Sequence, residues 1–510
     1  MAQINVNNLT FAYEGSFDNI FEDVSFSVDT DWKLGFLGRN GKGKTTFLNL
    51  LLGKYQYSGS IAASAAFDYF PYPVSQGQLQ LPAADFLEEI KPQCELWRVI
   101  CELEQLSENT EVLYRPFVTL SPGERTKVLL SVLFSGENDF LLIDEPTNHL
   151  DEGSREDVKK YLSSKKGFLL VSHDRDLLDS CIDHVLVLNR KTIEVQRGNF
   201  SSWWENKRRR DQFAKAQNDK HRKEISKLRQ AASQSRAWAD KNEGTKIGYD
   251  PIKEPDRPTR AYIGGKTKKM QSRVKQLKNR INREIEEKEG LLADLEQPVD
   301  LKLMPLAHHK ETLVEARDYA LNYEGNEQPL FTGLTFAVAR GQRIALHGRN
   351  GCGKSTLIKM ILQKAGHTRE SLPITESGIC KTAAGLVISY INQDTSLLKG
   401  SISEFCRRQS LDESLFCAVL RQLDMERVQF VKNMEDYSEG QKKKVLLAAS
   451  LLTPAHLYIW DEPLNYIDVF SRMQVEKLLL QYQPTMLFVE HDARFRERIA
   501  TAIVELQREA

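Results

Sequence analysis

The chain has 510 residues, 41% of them hydrophobic, with 70 basic and 70 acidic side chains and no formal net charge. That length suits about three domains with substantial cores. Seven cysteines without a C-x-x-C pair or Cys/His ligand spacing exclude a disulfide scaffold and a structural zinc site. The start MAQINVNNLT is too polar for a signal peptide. The most apolar stretch, Val445 to Trp460, is broken by Ser450, Thr453, Pro454 and His456, so it reads as helix, turn and strand rather than a membrane span.

In chain order, Tyr13 in FAYEG precedes an apolar strand (Lys33 to Leu37) and the loop GRNGKGKTT, Gly38 to Thr46. The loop satisfies G-x-x-x-x-G-K-[ST]. Gly38, Asn40, Gly41 and Gly43 let backbone N–H groups curl around phosphates, Lys44 reaches the β and γ phosphates, and Thr45 ligates Mg²⁺, with Thr46 opening a Leu-rich helix. LSPGE follows at Leu120 to Glu124, where Ser121 and Gly123 open a second helix whose free N–H groups can receive an anion. In FLLIDEPTNHLD the apolar run Phe140 to Ile143 reads as a buried parallel strand ending at Asp144, a metal ligand directly or through water. Glu145 is then placed to polarise the attacking water, and His173 in VSHDR to contact the γ-phosphate.

The middle of the chain is different. Between Glu205 and Gly290 there are 25 Lys and Arg against 13 Asp and Glu, a net of +12 that the remaining residues balance. Ile225, Leu228 and Ala232, then Val274, Leu277, Ile281 and Ile285, recur at spacings of three and four, the signal of a helical hairpin. The pattern breaks from about Ala237 to Lys266, a stretch with prolines and with Trp238, Tyr249 and Tyr262 for stacking. Two helices of about 30 residues would hold this tip roughly 45 Å from the flanking domains. A charged hairpin can be a solvated spacer, but basic stems with an aromatic tip favour an RNA partner.

The third part repeats the first. Tyr323 in LNYEG precedes the strand Arg343 to His347 and GRNGCGKST, with Gly348, Asn350, Gly351, Gly353, Lys354, Ser355 and Thr356 in the matching positions. Then come YSEGQ with Ser438 and Gly440, LYIWDEPLNYID with Asp461 and Glu462, and VEHDAR with His491. The copies are offset by 310, 317, 317 and 318 residues, so duplication explains the order. Tyr13 and Tyr323 are both suited to stacking on adenine. Cys352 lies inside the second loop, either a small residue tolerated there or an oxidisable one.

This ordered set resembles the ATP-binding cassette (ABC) family over all but the central segment. The resemblance implies an α/β fold of two tandem ABC-type P-loop ATPase domains joined by an α-helical hairpin linker. The expected domains are 1–200, 201–305 for the linker, and 306–510. It also implies ATP with Mg²⁺ and a monomer whose cassettes pair intramolecularly. The loop Gly38 to Thr46 would face Ser438 and Gly440, and Gly348 to Thr356 would face Ser121 and Gly123. Gln393 in SYINQD fits the family's Mg²⁺-contacting glutamine, giving a metal set of Thr45, Asp144, Ser355, Gln393 and Asp461. The first copy departs from this pattern with Tyr72 at the glutamine position, a poorer ligand for a hard cation. Leu464 and Tyr466 also replace Thr147 and His149, so unequal sites are expected.

Tandem cassettes, no membrane domain and a basic helical linker look like the F subfamily of ABC proteins, which act on the ribosome. There the linker enters the tRNA exit region and reaches toward the peptidyl-transferase centre, implying 50S rRNA and P-site or exit-site tRNA as partners and a cytoplasmic location. The interval from Tyr72 to Ser121 is 49 residues against 45 from Gln393 to Ser438, leaving no room for the extra arm of housekeeping members, and only 19 residues follow His491. FPYP, WDEPLNYID and the short tip look most like the Lsa-type antibiotic-resistance proteins, which protect ribosomes against lincosamides, pleuromutilins and streptogramin A compounds. The expected function is drug displacement by the linker tip in the ATP-closed form. The alternatives are the ATPase subunit of a membrane drug exporter and a general translation factor.

Overall fold

Apolar runs of four or five residues recur in both outer parts of the chain, and those ahead of the motifs become buried strands. The computed structural model describes residues 3–13, 19–92, 94–136, 139–148, 150–189, 192–244, 302–325, 328–368 and 373–506, with single positions at 272, 275–276, 279–281 and 283. It divides into two units, Met1–Trp203 with Val299–Ala510, and Trp204–Pro298.

The first unit holds two copies of one architecture. In the first, β1 (Gln3–Phe11), β2 (Phe21–Asp29) and β4 (Ser58–Ala63) form an antiparallel sheet in the order β2-β1-β4. Beside it, β3 (Lys33–Leu37), β5 (Ala66–Phe70), β6 (Asp139–Asp144), β7 (Phe168–Val171), β8 (His184–Leu188) and β9 (Ile193–Arg197) are ordered β5-β6-β7-β3-β8-β9, with only β9 antiparallel to its neighbour. In the second, β10 (Thr312–Tyr323), β11 (Phe331–Ala339) and β13 (Ile374–Thr382) repeat the small sheet. There β12 (Arg343–His347), β14 (Ile388–Ile391), β15 (Leu457–Asp461), β16 (Met486–Val489) and β17 (Ala502–Glu505) form an all-parallel sheet ordered β14-β15-β16-β12-β17. Asn8 and Asp318, 310 residues apart, share a left-handed backbone (φ 49° and 44°) at matching irregularities of β1 and β10. A duplicated irregularity of this kind is inherited with the fold.

Helices cover these sheets. In the first copy they are α1 (Lys44–Leu51), α2 (Ala83–Ile90), α3 (Leu96–Gln105), α4 (Pro122–Phe134), α5 (Glu152–Ser164) and α6 (Arg175–Cys181). The chain then enters α7 (Phe200–Gly244), and the second copy carries α8 (Lys354–Lys364), α9 (Ile402–Arg408), α10 (Glu413–Gln422), α11 (Glu439–Leu452), α12 (Val469–Tyr482) and α13 (Ala493–Ile499). Val445 to Trp460 is helix, turn and strand, as its polar interruptions predict. No helix among the described residues is long and apolar enough to cross a membrane.

Of the second unit, the described part is mostly α7, whose 45 residues correspond to about 68 Å of helix. The helical pattern of the sequence breaks near Ala237, but the helix continues to Gly244. The intervening Asp, Lys, Asn and Glu cost only tenths of a kcal/mol each in a helix, and Gly244 is the first strong breaker. Its opening turn belongs to the first unit, where Phe200 and Trp203 are buried and Trp203 meets Phe470 edge-on at 6.0 Å. Ile225 and Ile281, both placed on the apolar stripe by their spacing, are buried. Val274, Leu277, Ile285, Tyr249, Tyr262 and the side chains of Ala232 and Trp238 lie outside the described residues.

Candidate nucleotide sites

Each phosphate loop follows the C-terminal end of a central strand, β3 or β12, and runs into a helix with no side-chain cap. Gly43 and Gly353 stand at the N-caps of α1 and α8 with φ 105° and 97°, a conformation other residues rarely adopt. A Cβ on Gly43 would meet Ile20 at 2.6 Å. The first-turn N–H groups are therefore left for a ligand, and the helix dipole favours an anion there. Lys44 folds over its loop, donating to Gly38 O (2.8 Å), Arg39 O (3.2 Å) and Asn40 Oδ1 (3.1 Å). Lys354 does the same to Gly348 O (2.7 Å) and Arg349 O (2.9 Å). Burial lowers the Lys44 pKa, against the pull of Asp468, Glu145 and Asp144. Tyr13 and Tyr323 bring their hydroxyls to Thr46 Oγ1 (2.8 Å) and Thr356 Oγ1 (3.1 Å), which sets each ring beside its loop.

The acidic pairs end β6 and β15. Glu145 and Glu462 both have left-handed backbones, φ 51° and 49°, pinned by their N–H groups donating to Val171 O (2.9 Å) and Val489 O (3.1 Å). A non-glycine residue held there is strained, and strain of this kind gathers at functional positions. Thr45 donates to Asp144 Oδ2 at 3.3 Å, and Ser355 is hydrogen-bonded to Asp461. Asp461 Oδ1 is buried without a hydrogen-bond partner. A hydroxyl and a carboxylate, with one buried lone pair unsatisfied, form a donor set for a hard divalent cation, so the residues present fit Mg²⁺. Among the described residues no cluster of three or more His, Cys, Asp or Glu could hold a metal. The remaining ligands would come from phosphate and water.

The two glutamates differ in company. Glu462 Oε2 accepts from Gln393 Nε2 (2.8 Å) and Asn465 Nδ2 (2.7 Å), and Oε1 lies 3.3 Å from His491 Nε2. Burial raises its pKa, but His491 and Gln393 outweigh that and hold the carboxyl below its ordinary value. Glu145 lies 3.4 Å from His173 Nε2, and its Oε1 is buried without a hydrogen bond. Burial, with Asp144 beside it, pushes Glu145 up to about 8. Burial, reinforced by Lys44 and Arg472, keeps His173 neutral.

At the position matching Gln393, Tyr72 donates to Asp68 Oδ2 at 2.5 Å. A different tyrosine, Tyr69 on β5, reaches the Asp144 carboxylate at 3.2 Å. Its role was not read from the sequence, although Tyr390 at the same register on β14 was a usable signal.

Ser121 and Ser438 are the N-caps of α4 and α11, each in a capping box closed by Glu124 or Gln441. Gly440 packs so tightly on the Tyr466 carbonyl that a Cβ would lie 2.9 Å from it. The same carbonyl accepts from Asn40 Nδ2 of the first loop at 2.8 Å, which places α11 of one cassette next to the loop of the other. Arg39 with Asp424 (3.3 Å) and Lys42 with Glu426 (3.1 Å) flank that contact. At the second loop, Glu152 of the first cassette pairs with Arg496 (2.9 Å) and His347 (3.2 Å). There a cavity of about 260 Å³ is lined by Asp151, Glu152, Gly153, His347, Gly348 and Arg349. Arg175 on α6 pairs with Glu476 on α12, both buried, and Arg494 with Asp176 and Asp179. His149 lies outside the described residues.

The family model described as ABC transporter matches residues 21–148 and 331–465, just over half the chain. The ribosome protection protein VmlR of Bacillus subtilis is 26% identical over 494 residues, covering 96% of this chain and 84% of that protein. The erythromycin resistance ATP-binding protein MsrA of Staphylococcus epidermidis is 26% identical over 497 residues, covering 93% and 92%. Among solved structures, the archaeal ribosome recycling factor aABCE1, in complex with the ribosomal stalk protein aP1, superimposes with a TM-score of 0.59. The identity is 18%, with 98% of this chain and 87% of that one covered, a likeness of fold.

Proposed function

Because this chain belongs to the ABC transporter family and is an ATPase with two cassettes in one molecule, we propose that it is an ABC-F protein that works on the ribosome rather than with a membrane partner. The observation that carries this reading is the insert. Cassettes already in contact with each other are joined through a basic segment of net +12 that includes most of a 45-residue helix. Such a charge meets a phosphate backbone more readily than a transporter subunit. The names of VmlR and MsrA, which tie those proteins to ribosome protection and to erythromycin resistance, support the same reading.

In this proposal ATP bridges the cassettes. The first nucleotide lies on Gly38 to Thr46 against Ser438 and Gly440, and the second on Gly348 to Thr356 against Ser121 and Gly123. Lys44 and Lys354 exchange their carbonyl partners for phosphate oxygens, and Tyr13 and Tyr323 receive the adenines. Mg²⁺, held through Thr45 with Asp144 and through Ser355 with Asp461 and Gln393, supplies neutralising charge on the phosphates when bound. Glu462, and Glu145 in its ionised form, orient and deprotonate the attacking water, with His173 and His491 at the γ-phosphate. The second site is the faster one, because Glu462 is held by three side chains.

The finer proposal is protection of the large subunit from lincosamides, pleuromutilins and streptogramin A by the segment around Trp238, Tyr249 and Tyr262, which acts on rRNA near the peptidyl-transferase centre and on tRNA. Deleting part of Asn242 to Pro258 tests it. ATPase activity and ribosome binding are then retained while drug protection is lost in cells expressing equal amounts of protein. Full retained resistance contradicts a role for that segment. Resistance absent even from the parent chain leaves a general translation factor.

A further inference from the structure

Lys443 lies five residues beyond Ser438, in the second turn of α11, and is buried. A buried ammonium needs acceptors, and this one donates to two backbone carbonyls, Asn392 O at 3.2 Å and Gln393 O at 3.0 Å. Both belong to the turn that leaves β14. The side chain of Gln393 in that turn donates to Glu462 Oε2 at 2.8 Å. One of the three side chains that orient Glu462 therefore sits on a turn held by Lys443. In the first cassette the residue 317 positions earlier is Thr126, which has no ammonium to offer, and the corresponding turn carries Tyr72, bonded to Asp68. The lysine and the glutamine contact are present together in one copy and replaced together in the other.

The helix that carries Lys443 also touches the other site. Its first turn packs through Gly440 on the Tyr466 carbonyl, to which Asn40 of the first phosphate loop donates. We propose that Lys443 is a positioning residue for hydrolysis at the second site. It fixes the Gln393 turn, and through it Glu462, on the helix that meets the first phosphate loop, so closure around the first nucleotide orders the base at the second. This rests on the reading of Glu462 as general base.

The test uses the full-length chain with Glu145→Gln, so that turnover reports the second site. Lys443→Thr, the residue of the first cassette, is expected to lower kcat about tenfold, the scale of a small misplacement of a catalytic group, with KM within about twofold. Gln393→Ala, which also removes a proposed metal ligand, is expected to lower kcat at least as much, the double variant to be no slower than Gln393→Ala alone, and Lys443→Arg to recover most of the rate. If Lys443→Thr is poorly folded, Lys443→Met, which keeps the packed stem, is held to the same outcomes. Parental kcat in the Thr or Met variant overturns the proposal, as does multiplication of the two losses in the double variant. Undiminished turnover after adding Glu462→Gln overturns the general-base reading itself, a result distinct from either.

Discussion

Asn40, in the first phosphate loop, donates its side-chain amide to the main-chain carbonyl of Tyr466 in the opposite cassette at 2.8 Å. Tyr466 has a left-handed backbone, φ 64°, and its neighbour Asn465 holds the Glu462 carboxylate. The contact ties the two halves beside the first candidate nucleotide loop. Asn40→Ala removes this hydrogen bond between the cassettes, a loss of about 1 kcal/mol. Apparent ATP affinity in equilibrium binding is expected to fall by roughly fivefold. Unchanged affinity would show that the contact plays no part in closing the pair.

The buried pair of Arg175 and Glu476 locks the cassettes at a second point, with Arg498 also on Glu476 at 3.0 Å. Arg498 still reaches Glu476 after Arg175 is removed, so the buried carboxylate is left partly compensated, at a cost below that of an unpaired buried charge, about 3–5 kcal/mol, whereas replacing both partners with apolar groups is milder still. Arg175→Met is expected to lower the denaturant midpoint clearly, and Arg175→Met with Glu476→Leu to recover most of it. Additive losses in the double variant would argue against a pairwise role.

Much of the fold and the placement of the candidate site residues is legible in the sequence because these residues sit in short motifs whose backbone is dictated locally. Gly43 and Lys44 stand at a helix start, Asp144 and Glu145 at the end of a buried strand, and Ser121 and Ser438 at capped helix N-termini. What could not be read depends on contacts between distant segments. Lys443 looks like one of three adjacent lysines until α11 is laid on the Gln393 turn. Tyr72 was aligned to the glutamine position by counting, yet the hydroxyl that reaches Asp144 belongs to Tyr69, because alternation along β5 sets which side chains face the site. The periodic signal of α7 stops about seven residues before the helix does, because charged and polar residues lower the signal without breaking the helix.

Glu145→Gln with Glu462→Gln is expected to abolish steady-state ATP hydrolysis while nucleotide binding persists, because each change removes a carboxylate but keeps its shape. The check is phosphate release alongside binding of a fluorescent ATP analogue. Hydrolysis near the parental rate would remove both glutamates from their assigned roles.

The insert should bind RNA through charge. Replacing Lys268, Lys269, Arg273 and Lys275 with Glu is expected to weaken ribosome association and flatten its salt dependence, since fewer counterions are released on binding. The slope of log affinity against log salt is the measurement. An unchanged slope would place the principal contacts on the cassettes instead.

Sedimentation of the Glu145→Gln, Glu462→Gln protein through a sucrose gradient from ATP-supplemented cell lysate decides between ribosome and membrane most directly. The protein is expected to travel with ribosomal particles when ATP is present and to leave them when nucleotide is withheld or salt is raised. Recovery in the membrane fraction, or free at the top of the gradient with ATP present, would contradict a ribosome-acting ATPase.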